Sequence, residues 1–330
     1  MHAPGGGVEG GDTLRLGEIL NITQNGGVTS IYLDMLSGME QWVCLMSDNH
    51  FDSVYCDRDL QTAHLEEAKK RDAVIIMTGD WYDAMQGRFD PRRSMAELRE
   101  EYRREDYYDY VVNDSAAYLT PYRDNIVLMA DGNHELSVLK AANTNLMDRL
   151  VGKLRDQGAK TVHGGYGGWV RFMIEMGGIP QGSIKLKYFH GSGGEAPVTR
   201  GVIQTARQAV YLPDADIVVN GHSHNSYYVP IARERISGKG RQFFDVQHHV
   251  RVPGYKQSYG DGSGGWDVTR GGVPKPLGCV WLKLTARKND IMTVDIECIP
   301  DLRGGKPINP IGGVYSGVVF DDDGDQYRDN

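Results

Sequence analysis

Five short segments of this chain carry residues that bind metal ions or move protons. They are Asp48-Asn49-His50, Gly79-Asp80-Trp81-Tyr82-Asp83, Gly132-Asn133-His134-Glu135, Tyr188-Phe189-His190-Gly191 and Gly221-His222-Ser223-His224. Each follows a short apolar run. Alone, an Asp-x-His or a Gly-Asp pair is more often a turn than a ligand. Together the segments supply carboxylate, amide and imidazole donors, a mixture that suits divalent cations such as Mn, Fe, Zn, Co or Ni. Two such ions roughly 3.5–4 Å apart clamp phosphate oxygens and lower the pKa of a bridging water, and the resulting hydroxide attacks phosphorus in line. On an extended backbone, residues i and i+2 project to one side. That spacing predicts that Asp48 and His50 converge on one cation, and that His222 and His224 repeat the arrangement, one facing each ion. Asp80 has two oxygens with which to bridge, and Asn133 and His190 complete the donor set.

Such residues need elements to hold them. Gln41–Met46 reads as an apolar strand, Leu60–Arg71 as a mixed, charged helix and Ala73–Thr78 as a buried, β-branched strand, one βαβ unit with a motif directly after each strand. Asn125–Ala130 is a third buried strand, and Asn145–Gln157 a helix. Trp169–Glu175 and Ser183–His190 form a hairpin, Thr199–Leu212 a helix, and Asp216–Asn220 a strand ending at Gly221. Strand-like runs then dominate to Cys298. Pro91 to about Tyr118 reads as one long, highly charged helix with Pro91 in its first turn. Sites in open α/β sheets gather at the carboxyl ends of strands, and every motif lies at such an end. The mixture predicts an α/β fold with two sheets packed face to face and helices outside. Residues 1–40 read as a flexible tail followed by a hairpin or irregular arm around Asn25-Gly26-Gly27, residues 41–300 as the catalytic domain and 301–330 as a C-terminal extension.

Composition narrows the class. The 330 residues are 40% hydrophobic and 24% charged, ordinary for a soluble globular protein. A formal net charge of −8 argues against strong non-specific attraction to nucleic acid. The four cysteines, Cys44, Cys56, Cys279 and Cys298, show no paired spacing and read as reduced thiols of a cytoplasmic-type compartment. No 18-residue apolar stretch and no leader-like N-terminus is visible, so no membrane role is expected.

In combination the five motifs resemble those of the calcineurin-like metallophosphoesterase superfamily, over residues 48–224. The resemblance implies a four-layer αββα sandwich with a dinuclear site. Asp48, His50, Asp80 and His224 would hold one metal, and Asp80, Asn133, His190 and His222 the other. His134 would be an acid beside the leaving oxygen that is not a ligand, and Asp83 the carboxylate that orients it. Glu135 reads as a structural hydrogen-bonding residue. Protein phosphatases of this group carry arginines after the second aspartate and before the Gly-Asn-His-Glu motif. Here Ala84 and Asp131 stand in those places, which favours a phosphodiesterase or nuclease-type activity on nucleotides or nucleic acid. The alternatives are a phosphomonoesterase or protein phosphatase, and a metal-binding scaffold without catalysis. Mn2+ is the expected metal. His248, His249, Arg251, Lys256 and Arg270, near or within a Gly-rich stretch from Val250 to Pro276, and Arg200 are candidates for gripping phosphate oxygens. No protein partner can be read.

Overall fold

The computed structural model describes residues 18–84, 97–193, 199, 201–236, 240–257, 259, 268, 271–288 and 292–302. In chain order the elements are β1 Glu18–Asn25, β2 Val28–Asp34, β3 Glu40–Met46, α1 Arg58–Lys70, β4 Val74–Met77, α2 Tyr107–Leu119, β5 Ile126–Met129, α3 Asn133–Ala142, α4 Leu146–Asp156 and β6 Val162–His163. They continue with β7 Gly167–Met176, β8 Ile179–Phe189, α5 Val202–Tyr211, β9 Ile217–Asn220, β10 Tyr227–Ile236, β11 Gln242–Arg251, β12 Cys279–Lys288 and β13 Met292–Asp301. Two mixed sheets result, one of order β1-β2-β7-β8-β9-β11-β10 and one of order β13-β12-β3-β4-β5-β6.

Strand alternation explains why the sheets stack. In β3, Val43 and Leu45 point into the core between the sheets, while Cys44 and Met46 point the other way, into the core under α1, α2 and α4. β4 divides in the same manner, Val74 and Ile76 against Ile75 and Met77. A strand buried on both faces must be apolar throughout, which is why these short runs are legible in sequence. Across the interface Ile31, Phe172, Leu186 and Val219 of the seven-stranded sheet fill the shared core. On that sheet's outer face α5 supplies the fourth layer, burying Thr205 and Gln208. The architecture is the expected αββα sandwich.

Three expectations change. The arm before residue 41 is built into the fold: β1 and β2 form a hairpin through Gly26 (φ +56°), and β2 pairs in parallel with β7 from Val28↔Trp169 to Asp34↔Glu175. The long helix from Pro91 is also not continuous. Residues 85–96 lie outside the described residues. After them come a single 3-10 turn, Glu100–Tyr102, a break at Arg103 (ψ +64°), and then α2. The break buries Tyr102 completely, its ring near Phe51 and its hydroxyl donating to Asp114 Oδ2 at 2.5 Å. Finally, Asn133 opens α3, a helix not expected from the sequence. The tails 1–17 and 303–330, residues 258, 260–267 and 269–270 of the Gly-rich stretch (Arg270 among them), and Arg200 fall outside the described residues. No helix among the described residues is long and apolar enough to cross a membrane.

Candidate metal centre

The motifs meet because the loops after neighbouring strands are hydrogen-bonded to one another. The Asp48 amide donates to the Gly79 carbonyl (3.0 Å), and the Asn49 and His50 amides donate to the Asp80 carbonyl (2.8 and 3.1 Å). From the other sheet, the Gly221 amide donates to the His190 carbonyl (2.8 Å), and the His222 amide to Asp48 Oδ2 (2.8 Å). The His134 amide, in the first turn of α3, donates to Asp80 Oδ1 (3.0 Å). Glu135 ties two of these turns together. Its buried carboxylate accepts from the amides of Gly132 (2.7 Å), Tyr82 (2.9 Å) and Asp80 (3.2 Å). It is a structural residue, as expected, but it is placed by a helical turn and not by strand alternation. Burial and the neighbouring Asp80 push its carboxyl up to about 8. Gly132 and Gly221 pack so closely on Asp80 and on Ser47 with Asp48 that a Cβ at either would collide with those side chains.

The backbone at the ligands is left-handed, not extended. Asp48 (φ +50°), His50 (+48°), Asp80 (+52°), His222 (+71°) and His224 (+56°) make up five of the eight non-glycine residues with positive φ among the described residues. Asp and His tolerate this region better than most residues, yet such conformations cost of order 1–3 kcal/mol each and concentrate at functional sites. The i,i+2 argument therefore reached the right neighbours by the wrong geometry.

Two groups of donors form around Asp48 and Asp80, and a third joins His50 to Asp83 and His134. In the first, His224 Nε2 lies 3.3 Å from Asp48 Oδ1 and 3.2 Å from His50 Nε2. In the second, His190 Nε2 lies 3.1 Å from Asp80 Oδ2 and 3.2 Å from Asn133 Oδ1, and His222 Nδ1 lies 2.7 Å from the same Asn133 oxygen. His222 and His224 thus fall one in each group. The Asp80 carboxylate interacts electrostatically with His190, His134 and His50 together, the position a bridging ligand requires.

These contacts fit divalent cations. His50 Nδ1 lies 2.9 Å from Asp83 Oδ1, and burial, outweighing Asp83, lowers this imidazole to about 4. His50 is therefore neutral at pH 7, and its Nε2 presents a lone pair to the other ring. His190 Nδ1 donates to the Thr78 carbonyl (2.9 Å), which turns Nε2 toward two oxygen acceptors. Asp48 Oδ1 is buried without a hydrogen-bond partner. Acceptors aimed at acceptors in a buried, mixed oxygen and nitrogen set are what a cation satisfies. A proton serves in its place at His190. Burial opposes that proton, but Asp80 outweighs burial and raises the imidazole to about 10. For Asp48, burial likewise opposes ionisation, and His224 and His190 overcome it, holding the carboxyl well below the usual range.

His134 stands at the rim. Its side chain is 13% exposed, Nε2 lies 3.8 Å from Asp80 Oδ2, and Nδ1 donates to the backbone carbonyl of Asp83 (2.5 Å). The Asp83 carboxylate is 3.8 Å from His134 Nδ1 and serves His50 and Lys256 more closely. Asp83 thus contacts His134 through its backbone carbonyl and His50 through its side chain. The amides of Asp83 and Ala84 in turn donate to the buried Asp52 carboxylate (2.6 and 3.0 Å), a support with no signal in the sequence pattern.

The phosphate-gripping candidates are occupied elsewhere. Lys256 Nζ lies 3.1 Å from both Asp83 oxygens and from Glu97 Oε2. Arg251 donates to the Gly221 carbonyl (2.6 Å) and Tyr227. His248 contacts Tyr228, and His249 contacts Gln247 (2.9 and 2.8 Å). Breaking one side of a buried pair leaves an uncompensated charge and costs about 3–5 kcal/mol. Lys256→Met is therefore expected to destabilise the fold by about that amount in urea titrations at pH 7. Burial opposes ionisation of Asp83, but Lys256 and His50 hold its carboxyl well below the ordinary range. Its stabilisation is complete above the unfolded value of about 3.9 and is lost as pH falls below it, so the difference between the two proteins should shrink in acid.

The sequence profile of the calcineurin-like phosphoesterase family matches residues 42–226. No curated protein matches the chain. Among solved structures, vacuolar protein sorting 29 of Cryptosporidium parvum is 12% identical, with 79% of this chain and 99% of that one covered, at a TM-score of 0.34. Wild-type Vps29 of Entamoeba histolytica complexed with Zn2+ is 11% identical, covering 79% and 99%, at 0.33. A Streptococcus pneumoniae protein described as a predicted phosphoesterase is 12% identical, covering 78% and 98%, at 0.29. With the matched segment spanning more than half of its length and all five motifs, the chain belongs to the calcineurin-like phosphoesterase family.

Proposed function

We propose that this phosphoesterase cleaves phosphodiesters, in a nucleotide or a nucleic acid, using two divalent cations with Mn2+ as the preferred metal. The observation that carries the reading is the pair of donor groups around Asp48 and Asp80, with the Asp80 charge acting on His50 as well as on His190 and with His134 beside the two groups and in neither. Asp48, His50 and His224 hold one cation, Asn133, His190 and His222 the other, and Asp80 lies between. When bound, such a pair polarises the phosphoryl group and activates water. His134 Nε2 protonates the departing oxygen while the Asp83 carbonyl holds Nδ1. Asp83 and Thr78 fix the tautomers of His50 and His190, as outer carboxylates and carbonyls do in metal sites.

The preference for a diester rests on charge. A monoester dianion needs an extra cation at its non-bridging oxygens. Two described cations that bond to the motif loops, Lys256 and Arg251, are held by Asp83 with Glu97 and by Gly221 with Tyr227. The expected result is at least tenfold higher kcat/KM, with Mn2+, on bis-p-nitrophenyl phosphate than on p-nitrophenyl phosphate. A monoester preference would transfer the reading to a phosphatase.

A further inference from the structure

Away from the catalytic centre, α1 and three strands enclose a second group of metal-binding side chains. His64 of α1 lies over Cys279 of β12 and Asp301 at the end of β13, their ligand atoms all within 4.8 Å of one another. Cys44 lies on β3, the strand that neighbours β12. His64, Cys44 and Cys279 are fully buried. His64 Nδ1 is 2.8 Å from the Tyr255 hydroxyl, whereas Nε2, which faces the group, has no hydrogen-bond partner. The nearest carboxylate oxygen to it, Asp301 Oδ2, is 3.7 Å away and accepts from Trp281 Nε1 at 3.2 Å.

We propose that His64, Cys279 and Asp301 form a site for one thiophilic divalent cation of the zinc type. One sulfur, one imidazole nitrogen and one carboxylate oxygen are donors that zinc takes. Tyr255 supplies the outer hydrogen bond that fixes the imidazole tautomer, leaving Nε2 for the metal. The donors come from three elements, so the cation would pin α1 to the sheet whose strands precede Asp48 and Asp80. Tyr255 extends the connection, because its backbone amide donates to the Asp48 carbonyl at 3.0 Å.

The two kinds of site differ in chemistry: the catalytic donors are oxygen and nitrogen only, whereas this site has a thiolate. Co2+ bound to thiolate absorbs in the near ultraviolet by sulfur-to-metal charge transfer, and Co2+ on oxygen and imidazole does not. Full-length Asp80→Ala protein, reduced, stripped of metal and titrated with Co2+, is expected to develop this band and to saturate it at one equivalent. Cys279→Ser in the same background should lose it. Cys56→Ser with Cys298→Ser should keep it, which decides the matter even where Cys279→Ser does not fold. No thiolate band at saturating Co2+, or a band that survives Cys279→Ser or vanishes in the Cys56, Cys298 double variant, overturns the site. The first of these results would make the group a buried His64–Asp301 ion pair. Diester turnover by the wild-type chain is scored separately, so either conclusion stands or falls alone.

Discussion

His134→Ala is expected to lower kcat on a diester with a poor leaving group by about 10²–10⁴-fold, the usual worth of general acid help, without changing metal content. The geometry separates those two effects. His134 contributes to neither of the two donor groups centred on Asp48 and Asp80, so removing its ring removes no ligand from them. Its amide bond to Asp80 Oδ1 is a backbone contact that survives the substitution. With Nδ1 donating to the Asp83 carbonyl, Nε2 is the atom left to deliver a proton. The loss should therefore scale with the basicity of the leaving group, being small for p-nitrophenolate and large for an alkoxide. Parallel kcat measurements on two diesters, with metal analysis of the same samples, check this. Equal losses on both substrates would show that the ring positions substrate and does not protonate it.

Asp80→Ala is expected to abolish both tight metal binding and turnover, the larger effect of the two. One carboxylate here does three jobs. Oδ2 approaches His190 Nε2 at 3.1 Å, Oδ1 accepts the His134 amide at 3.0 Å, and its charge reaches His50 as well. Without it, His190 loses the anion that overcomes its burial, and two positive centres would sit close together with one fewer negative charge between them. Electrostatic cost of that kind is large in a buried setting. Asp80→Asn keeps the shape but not the charge, and should also lose metal. If it does not, the carboxylate is not a bridging ligand.

Much of the site was legible in the sequence because ligand chemistry is carried by residue type. Carboxylates, imidazoles and an amide each directly follow an apolar run, and runs buried on both faces, as in β4, β5 and β9, have few other readings. What was not legible depends on backbone conformation or on distant partners. Asp48 and His50 come together with His224 through two left-handed residues, which spacing alone presents as an extended strand. The helix α3 begins inside its own motif, so Gly132 to Glu135 looked like loop. Lys256 looked free to grip phosphate because its partners, Asp83 and Glu97, are 173 and 159 residues away in sequence. Tyr102 breaks a charged segment that local propensity alone would make one helix, since burying the ring outweighs continuing the helix.

The most direct test is diester turnover by the wild-type chain followed against bound Mn2+, beginning from metal-free protein. Mn2+ favours oxygen and imidazole over thiolate, so the titration reports on the catalytic donors. Turnover should be absent in the stripped protein, rise with added metal and level off at two bound ions per chain, with Asp80→Ala inactive throughout. Full turnover in the metal-free protein, or a plateau at one ion, would contradict a two-cation phosphodiesterase.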